Sequence, residues 1–213
     1  MANDLKSENF KSLFFILAAS LVASVLLQFD LKNAENFTEL AVAGTGGLLL
    51  SALLVMVANL IPQSIKHKLV FTRMSHELPA CRVDRLSRSE PRIDYDLVRA
   101  KWPDVFEEGL DGSVRNSRWY QQIYKPVKNE PSVLQAHRSF LLYRDAFSGL
   151  LLILITTSVF ALLSEPVFQV KLSPWVPIAQ VVLTLIALVA ARVAGNRFVL
   201  NAVAAAEQDQ VQE

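Results

Sequence analysis

The chain has a single cysteine, Cys81, in 213 residues, which excludes an intramolecular disulfide and any multi-cysteine metal framework. It has no surplus of either charge. Its 21 Lys plus Arg stand against 20 Asp plus Glu, a net of +1, and that balance argues against a general nucleic-acid binder. With 7 glycines and 9 prolines it carries no collagen-like or low-complexity tract, and no internal repeat is found. Charge is also missing from four long apolar runs. The chain is 52% apolar and 19% charged, with a mean hydropathy of +0.32, too apolar for an ordinary water-soluble domain.

The first run, Leu13 to Phe29, follows Lys6 and Lys11 and spans a bilayer once a turn of flanking residues is added. A cleaved signal peptide shares that basic start. The run, however, passes the small residues between Ala18 and Ala23 without a polar exit, so a retained span is expected. The second, Leu40 to Ile61, is closed by Pro62. The third, Phe147 to Leu163, is expected to stop at Ser164, Glu165 and Pro166, and the fourth, Trp175 to Ala191, opens behind Pro174. The expected fold is therefore all-α: a polytopic membrane protein with four transmembrane helices and a small helical cytoplasmic domain between the second and third. Its divisions are 1–61 (tail and hairpin, spans 13–29 and 40–61), 62–146 (cytoplasmic domain) and 147–213. The last holds the second hairpin, spans 147–163 and 175–191, and a C-terminal cytoplasmic helix or tail.

Lys and Arg set the expected orientation. The block from Pro62 to Ala146 holds fifteen and the tails hold Lys6, Lys11, Arg192 and Arg197, whereas the two short loops hold only Lys32 and Lys171. The positive-inside rule puts both termini and the central block in the cytoplasm.

Ionisable groups at membrane depth mark proton relays and ion sites, and the four runs contain none, which argues against a coupled ion transporter. Their polarity is mild. Ser20 with Ser24, and Gln180 with Thr184, are four residues apart and share a helix face. They either line a hydrated path in an assembly of several copies or hydrogen-bond between packed helices. Ala43, Gly47 and Ser51, and again Ala187, Ala191 and Gly195, have the small-xxx-small spacing of close helix packing within or between chains. Gly44-Thr45-Gly46-Gly47 is followed by leucines rather than Lys-Ser or Lys-Thr and is not a phosphate loop.

In the central block, fifteen basic residues exceed eleven acidic ones, an excess common beside an anionic inner leaflet. Gln63 to Met74 reads as a juxtamembrane helix, with Lys66 and Lys68 near headgroups and Pro79 breaking it. Arg82, Arg85, Arg88 and Arg92, spaced by three or four, would line one side of a helix and meet lipid, an acidic partner or an anionic ligand, or form a solvated face. Asp94 to Glu108 reads as helical with a break near Pro103, and Gly109 to Ser113 as a turn. Trp119, Tyr120, Ile123 and Tyr124 form an apolar stripe for a core, an interface or a ligand. From Pro131 a helix runs without a breaker into the third span, past His137, Arg138, Arg144 and Asp145. Its continuity suits transmission of movement to the membrane, with Arg138 and Arg144 as positive-inside anchors and Asp145 neutralising one of them.

No catalytic motif is complete. His76-Glu77 lacks the second histidine of a zinc-protease helix, because Ala80 stands at that place and Pro79 breaks the helix. Cys81, His137 and an aspartate could form a nucleophile and base only if the fold brought them together. The chain is expected not to be an enzyme and to have no catalytic residue, cofactor or metal ligand.

The strings HELPACR (76–82), PRID (91–94), WYQQIY (119–124) and HRSFLLYRD (137–145) resemble a family of small bacterial membrane proteins associated with anti-phage defence loci, such as the Kiwa membrane subunit or the retron-type membrane effectors. The resemblance implies a bacterial inner-membrane sensor or effector. Its cytoplasmic domain would receive a signal or partner and alter an oligomeric membrane bundle, by permeabilisation or by recruiting a cytoplasmic effector. The implied partners are membrane lipid, further copies of the chain and a cytoplasmic protein encoded nearby. The alternatives are a passive anchor for a soluble partner and a transporter for a small neutral solute.

Overall fold

The computed structural model describes residues 8–28, 52–53, 55–168 and 172–208. The expected span 40–61, apart from its last residues, lies outside them, as do Lys6, Lys32, Lys171 and the ladder Ala43, Gly47, Ser51. Among the described residues every regular element is helical and none is a strand. Three helices are long and apolar enough to cross a membrane: Phe10–Gln28, Pro131–Leu163 and Trp175–Gln208.

We number the helices α1 (Phe10–Gln28), α2 (Gln63–Phe71), α3 (Val83–Arg88), α4 (Tyr95–Lys101), α5 (Pro103–Phe106), α6 (Gly112–Trp119), α7 (Lys125–Val127), α8 (Pro131–Phe168) and α9 (Trp175–Gln208). A 3₁₀ turn, Pro79–Arg82, leads into α3, and a π-helical turn, Tyr120–Tyr124, joins α6 to α7. Punctuation in the sequence explains most of the short elements. Asp94 and Asp111 cap α4 and α6 by accepting from the backbone N–H groups two and three residues on. Pro103 and Pro131 supply first-turn residues that need no donor.

Three expected boundaries are corrected. Pro79 does not break the helix that begins at Gln63; α2 already ends at Phe71, and Pro79 opens the 3₁₀ turn as its first residue. Pro166 does not stop the third run, because α8 continues to Phe168 with Pro166 inside it. So close to a helix end the lost N–H costs one hydrogen bond and leaves little helix to break. The fourth run does not end as a helix at Ala191 but continues to Gln208 as one helix of 34 residues, about 51 Å at 1.5 Å per residue.

The chain divides into two compact units, Met1–Lys66 with Leu142–Ala190, and His67–Leu141 with Ala191–Glu213. Residues 191–208, expected as a tail beside the second hairpin, thus group with the central block. In the first unit α1 buries Leu13, Leu17, Ala18 and Ser20. Leu17 is wholly buried and lies over Gly149 of α8, where a Cβ would come within 2.7 Å of Leu17 Cδ1. Any larger residue there would have to displace the end of the buried Leu17 side chain. We expect Gly149→Leu to destabilise this packing by about 1–3 kcal/mol, read as a lower temperature of aggregation in detergent. An unchanged value would show that α1 is free to move away.

The second unit is built around Val70, Phe71, Val83, Val98, Val105, Phe106, Trp119, Ile123, Phe140 and Phe198, all buried. The final turns of α9 are held by polar side chains. Arg92 donates to Asn201 Oδ1 at 3.1 Å, Lys101 Nζ donates to the Ala206 carbonyl at 2.7 Å, and the Asp94 N–H donates to Glu207 Oε1 at 3.3 Å.

Candidate functional site

Four groups of side chains carry the chemistry, two in each unit. In the first unit, the structure brings Ser20, Ser24, Gln180 and Thr184 together. Ser20 Oγ donates to Gln180 Oε1 at 3.0 Å, and Gln180 Nε2 donates to the Ser20 carbonyl at 3.3 Å and to Ser24 Oγ. Ser24 Oγ donates back to the Ser20 carbonyl at 3.0 Å, and Thr184 Oγ1 to the Gln180 carbonyl at 2.7 Å. Gln180 has no exposed surface. Within one chain the polar atoms of this seam are therefore spent on one another, in surroundings where an unpaired amide costs several kcal/mol, about 4–8 on a hydrocarbon scale.

Also in the first unit, Lys66 Nζ donates to Asp145 Oδ1 at 2.8 Å, and Arg144 donates from Nε to Oδ1 at 3.1 Å and from Nη2 to Oδ2 at 3.3 Å. All three residues are at most 4% exposed. Lys66, expected near headgroups, is buried against Asp145, and Asp145 pairs with Arg144, one of the two expected anchors; both cations turn inward to one carboxylate. The sequence placed them outside the apolar runs, yet they belong to the compact unit that contains those runs. Burying an ion is tolerable only when its partner is buried with it. Arg138, the other expected anchor, is half-buried on α8.

The second unit contains the aromatic block. Trp119 and Tyr124 are five apart, and the π-helical turn between them stacks their rings at 5.6 Å and 15°. A regular α-helix would set residues five apart well round its circumference. Phe198, which no sequence pattern had singled out, stands in the middle. Its ring stacks on His137 at 4.5 Å and meets Trp119 and Tyr124 edge-on at 5.7 and 5.2 Å. The Tyr124 hydroxyl and His137 Nδ1 are 3.1 Å apart, and burial pushes the Tyr124 phenol up from its ordinary value, with Tyr120 adding to it. Trp119 is buried, Tyr124 half-buried and Tyr120 about half exposed. His137 is thus engaged by aromatic neighbours. The Cys81 thiol is pushed above its ordinary range, first by burial and then by Glu77, so it is protonated and weakly nucleophilic at neutral pH.

The second group of this unit is the arginine set, which the structure sorts. Arg88 lies 3.5 Å from Glu108 and over the Tyr95 ring, and Arg92 lies 2.7 Å from Glu90, holding that carboxyl below its ordinary range through their hydrogen bond. Arg115 is buried and spans three backbone carbonyls, of Val105, Glu107 and Cys81, while lying 3.2 Å from Asp84. Arg82 and Arg85 make no such pair among the described residues. Sequence reasoning missed Arg115 and Phe198, and it read Lys66 only as a headgroup lysine. No local periodicity reveals these partners, which lie 8 to 34 residues away for Arg115, 58 to 79 for Phe198 and 79 for Lys66.

No protein-family model matches this chain, and no curated protein or solved structure matches it either.

Proposed function

We propose that the chain is a regulated protein of the bacterial inner membrane that acts in anti-phage defence. In this reading, residues 62–146 face the cytoplasm and receive a signal or a protein partner. The spanning helices, assembled from several copies, respond by permeabilising the membrane or by recruiting a cytoplasmic effector. The observation that carries the reading is the continuity of α8 and α9. Each is a single helix that contributes residues to both units, and a continuous helix transmits a displacement along its own hydrogen-bonded backbone. The positive-inside count supports the orientation, and the four strings that resemble defence-associated membrane proteins support the context.

The test is dye entry and membrane potential in cells overexpressing the chain, against a double variant, Gln180→Leu with Thr184→Leu. Wild type is expected to admit dye and collapse the potential, and the double variant, recovered at equal level in the membrane fraction, to do so far less. Intact membranes with both chains would remove permeabilisation and favour a passive anchor.

A further inference from the structure

Residues 72–78 join α2 to the 3₁₀ turn, and the second unit holds them at two points. Arg192 donates to the Val70 carbonyl at 2.6 Å and to Thr72 Oγ1 at 2.9 Å. His76 Nε2 lies 3.0 Å from Asp111 Oδ2, and a Cβ on Gly112 would stand 2.9 Å from His76 Cγ. Thr72 and His76 both have φ of 49°, a left-handed conformation that persists in residues with side chains where the surroundings enforce it. Between these two points Arg73, Met74 and Ser75 are exposed, Met74 to 83%. Among the described residues no hydrogen bond or ion pair engages the Arg73 side chain. A large apolar side chain and a guanidinium are thus presented on a backbone already ordered, which lowers the entropy cost of docking them.

The same unit contains a groove that complements them. Its volume is about 640 Å³, and it is lined by α4, α5 and the two residues after α5, with Ala100, Pro103 and Phe106 supplying apolar surface. Its charged lining is one-sided: Asp96, Asp104, Glu107 and Glu108 stand against Arg99. Glu108 faces Arg88 and Arg99 at 3.5 and 3.7 Å, and Glu107 faces Arg118 at 3.6 Å. Asp96 and Asp104 are exposed, and no cation pairs with either side chain among the described residues. The loop of the same chain is pinned elsewhere, to Arg192 and Asp111, so the groove is open to another copy.

We propose that this groove receives residues 73–75 of a second copy, with Met74 against Ala100 and Pro103 and with Arg73 meeting Asp96 and Asp104. Used reciprocally, the two patches make a two-fold dimer in which each loop enters the other groove; used head to tail, they make a ring or an open chain. Opposite charge on the two patches sets which surfaces meet and in what register, and a bidentate guanidinium to carboxylate contact is the strongest form such a meeting takes. The inference rests on the reading above only in that several copies assemble, and it is independent of what the assembly does to the membrane.

The test uses the full chain in an uncharged detergent, with association followed by analytical ultracentrifugation at low and high salt. Wild type is expected to associate reversibly, and less so as salt is raised. Arg73→Glu and Asp104→Lys, each of which sets like charges against one another, are expected to weaken association by about a hundredfold. An equimolar mixture of these two variants, and the chain carrying both changes, are expected to recover to within about tenfold of wild type. A variant that had merely misfolded would gain nothing from a partner of opposite charge. Met74→Asp is expected to weaken association by about tenfold. Lys128→Glu, the same charge change at an exposed position outside both patches, is expected to leave it unchanged. Wild type that stays a single chain at every attainable concentration, equal effects of Arg73→Glu and Lys128→Glu, or no recovery in the mixture would each overturn the proposal. Association with this charge pattern and intact cell membranes would dismiss the permeabilisation reading alone, and dye entry by a chain whose association ignores Arg73 would dismiss this contact alone.

Discussion

Asp145→Ala is expected to destabilise the unit that holds the spanning helices by about 3–5 kcal/mol, the loss typical when one member of a buried ion pair is removed. The size follows from the geometry. One carboxylate accepts from Lys66 at 2.8 Å and from Arg144 at 3.1 Å, and all three residues are sealed from solvent. Removing it takes from two buried cations the carboxylate they share. Surface ion pairs are worth far less, about 0–1 kcal/mol, so the exposed pair Arg88–Glu108 provides an internal control. The measurement is the folded fraction of detergent-solubilised protein by size exclusion after heating. Adding Lys66→Met to Asp145→Ala is expected to restore part of the loss, because it removes one of the two buried cations that shared the carboxylate. A midpoint for Asp145→Ala equal to that of wild type would mean that other groups already neutralise the two cations, and the ion cluster would lose its structural role.

The second large effect is expected at Phe198. Replacing it by alanine should cost the second unit about 3–5 kcal/mol, the range for truncating a buried phenylalanine. Its ring touches four aromatic neighbours, Trp119, Tyr124, His137 and Phe140, and only 9% of the residue is exposed. Near-ultraviolet circular dichroism would follow the loss of a fixed environment at Trp119, and faster proteolysis within residues 72–130 would follow the opening of the unit. Tyr120→Ala, at a position 49% exposed, is expected to stay within about 0.5 kcal/mol of wild type. Similar losses at the two positions would contradict the central place of Phe198.

What could be read in advance divides by the range of the interaction. α1, the apolar stretch of α8 and the opening of α9 were visible as runs of apolar residues without charge. A helix that must satisfy its own backbone in lipid announces itself in consecutive residues. The helix start at Asp94, the break near Pro103, the turn at Gly109 to Ser113 and the helix start at Pro131 were equally local. The arginine spacing 82, 85, 88, 92 was legible as a pattern but not as chemistry. Helical periodicity treats the four alike, while the fold hands Glu108 to Arg88 and Glu90 to Arg92, and gives Arg82 and Arg85 no such carboxylate among the described residues. The aromatic string 119–124 was legible as a stripe, but not its π-helical register, which stacks Trp119 on Tyr124, nor the Phe198 ring that meets both.

The sequence by itself determined that this protein is helical and that it carries helices able to cross a membrane, because apolar length, capping and proline placement act within a few residues. Only the tertiary structure decided that Lys66 and Arg144 face one buried carboxylate, that Gln180 closes a seam with Ser20, that residues 191–208 complete the unit formed by the central block, and which arginines are left without a counter-ion. The physical reason is that charge pairing and side-chain packing are settled by whichever group arrives across space, and a list of neighbours along the chain does not contain that information.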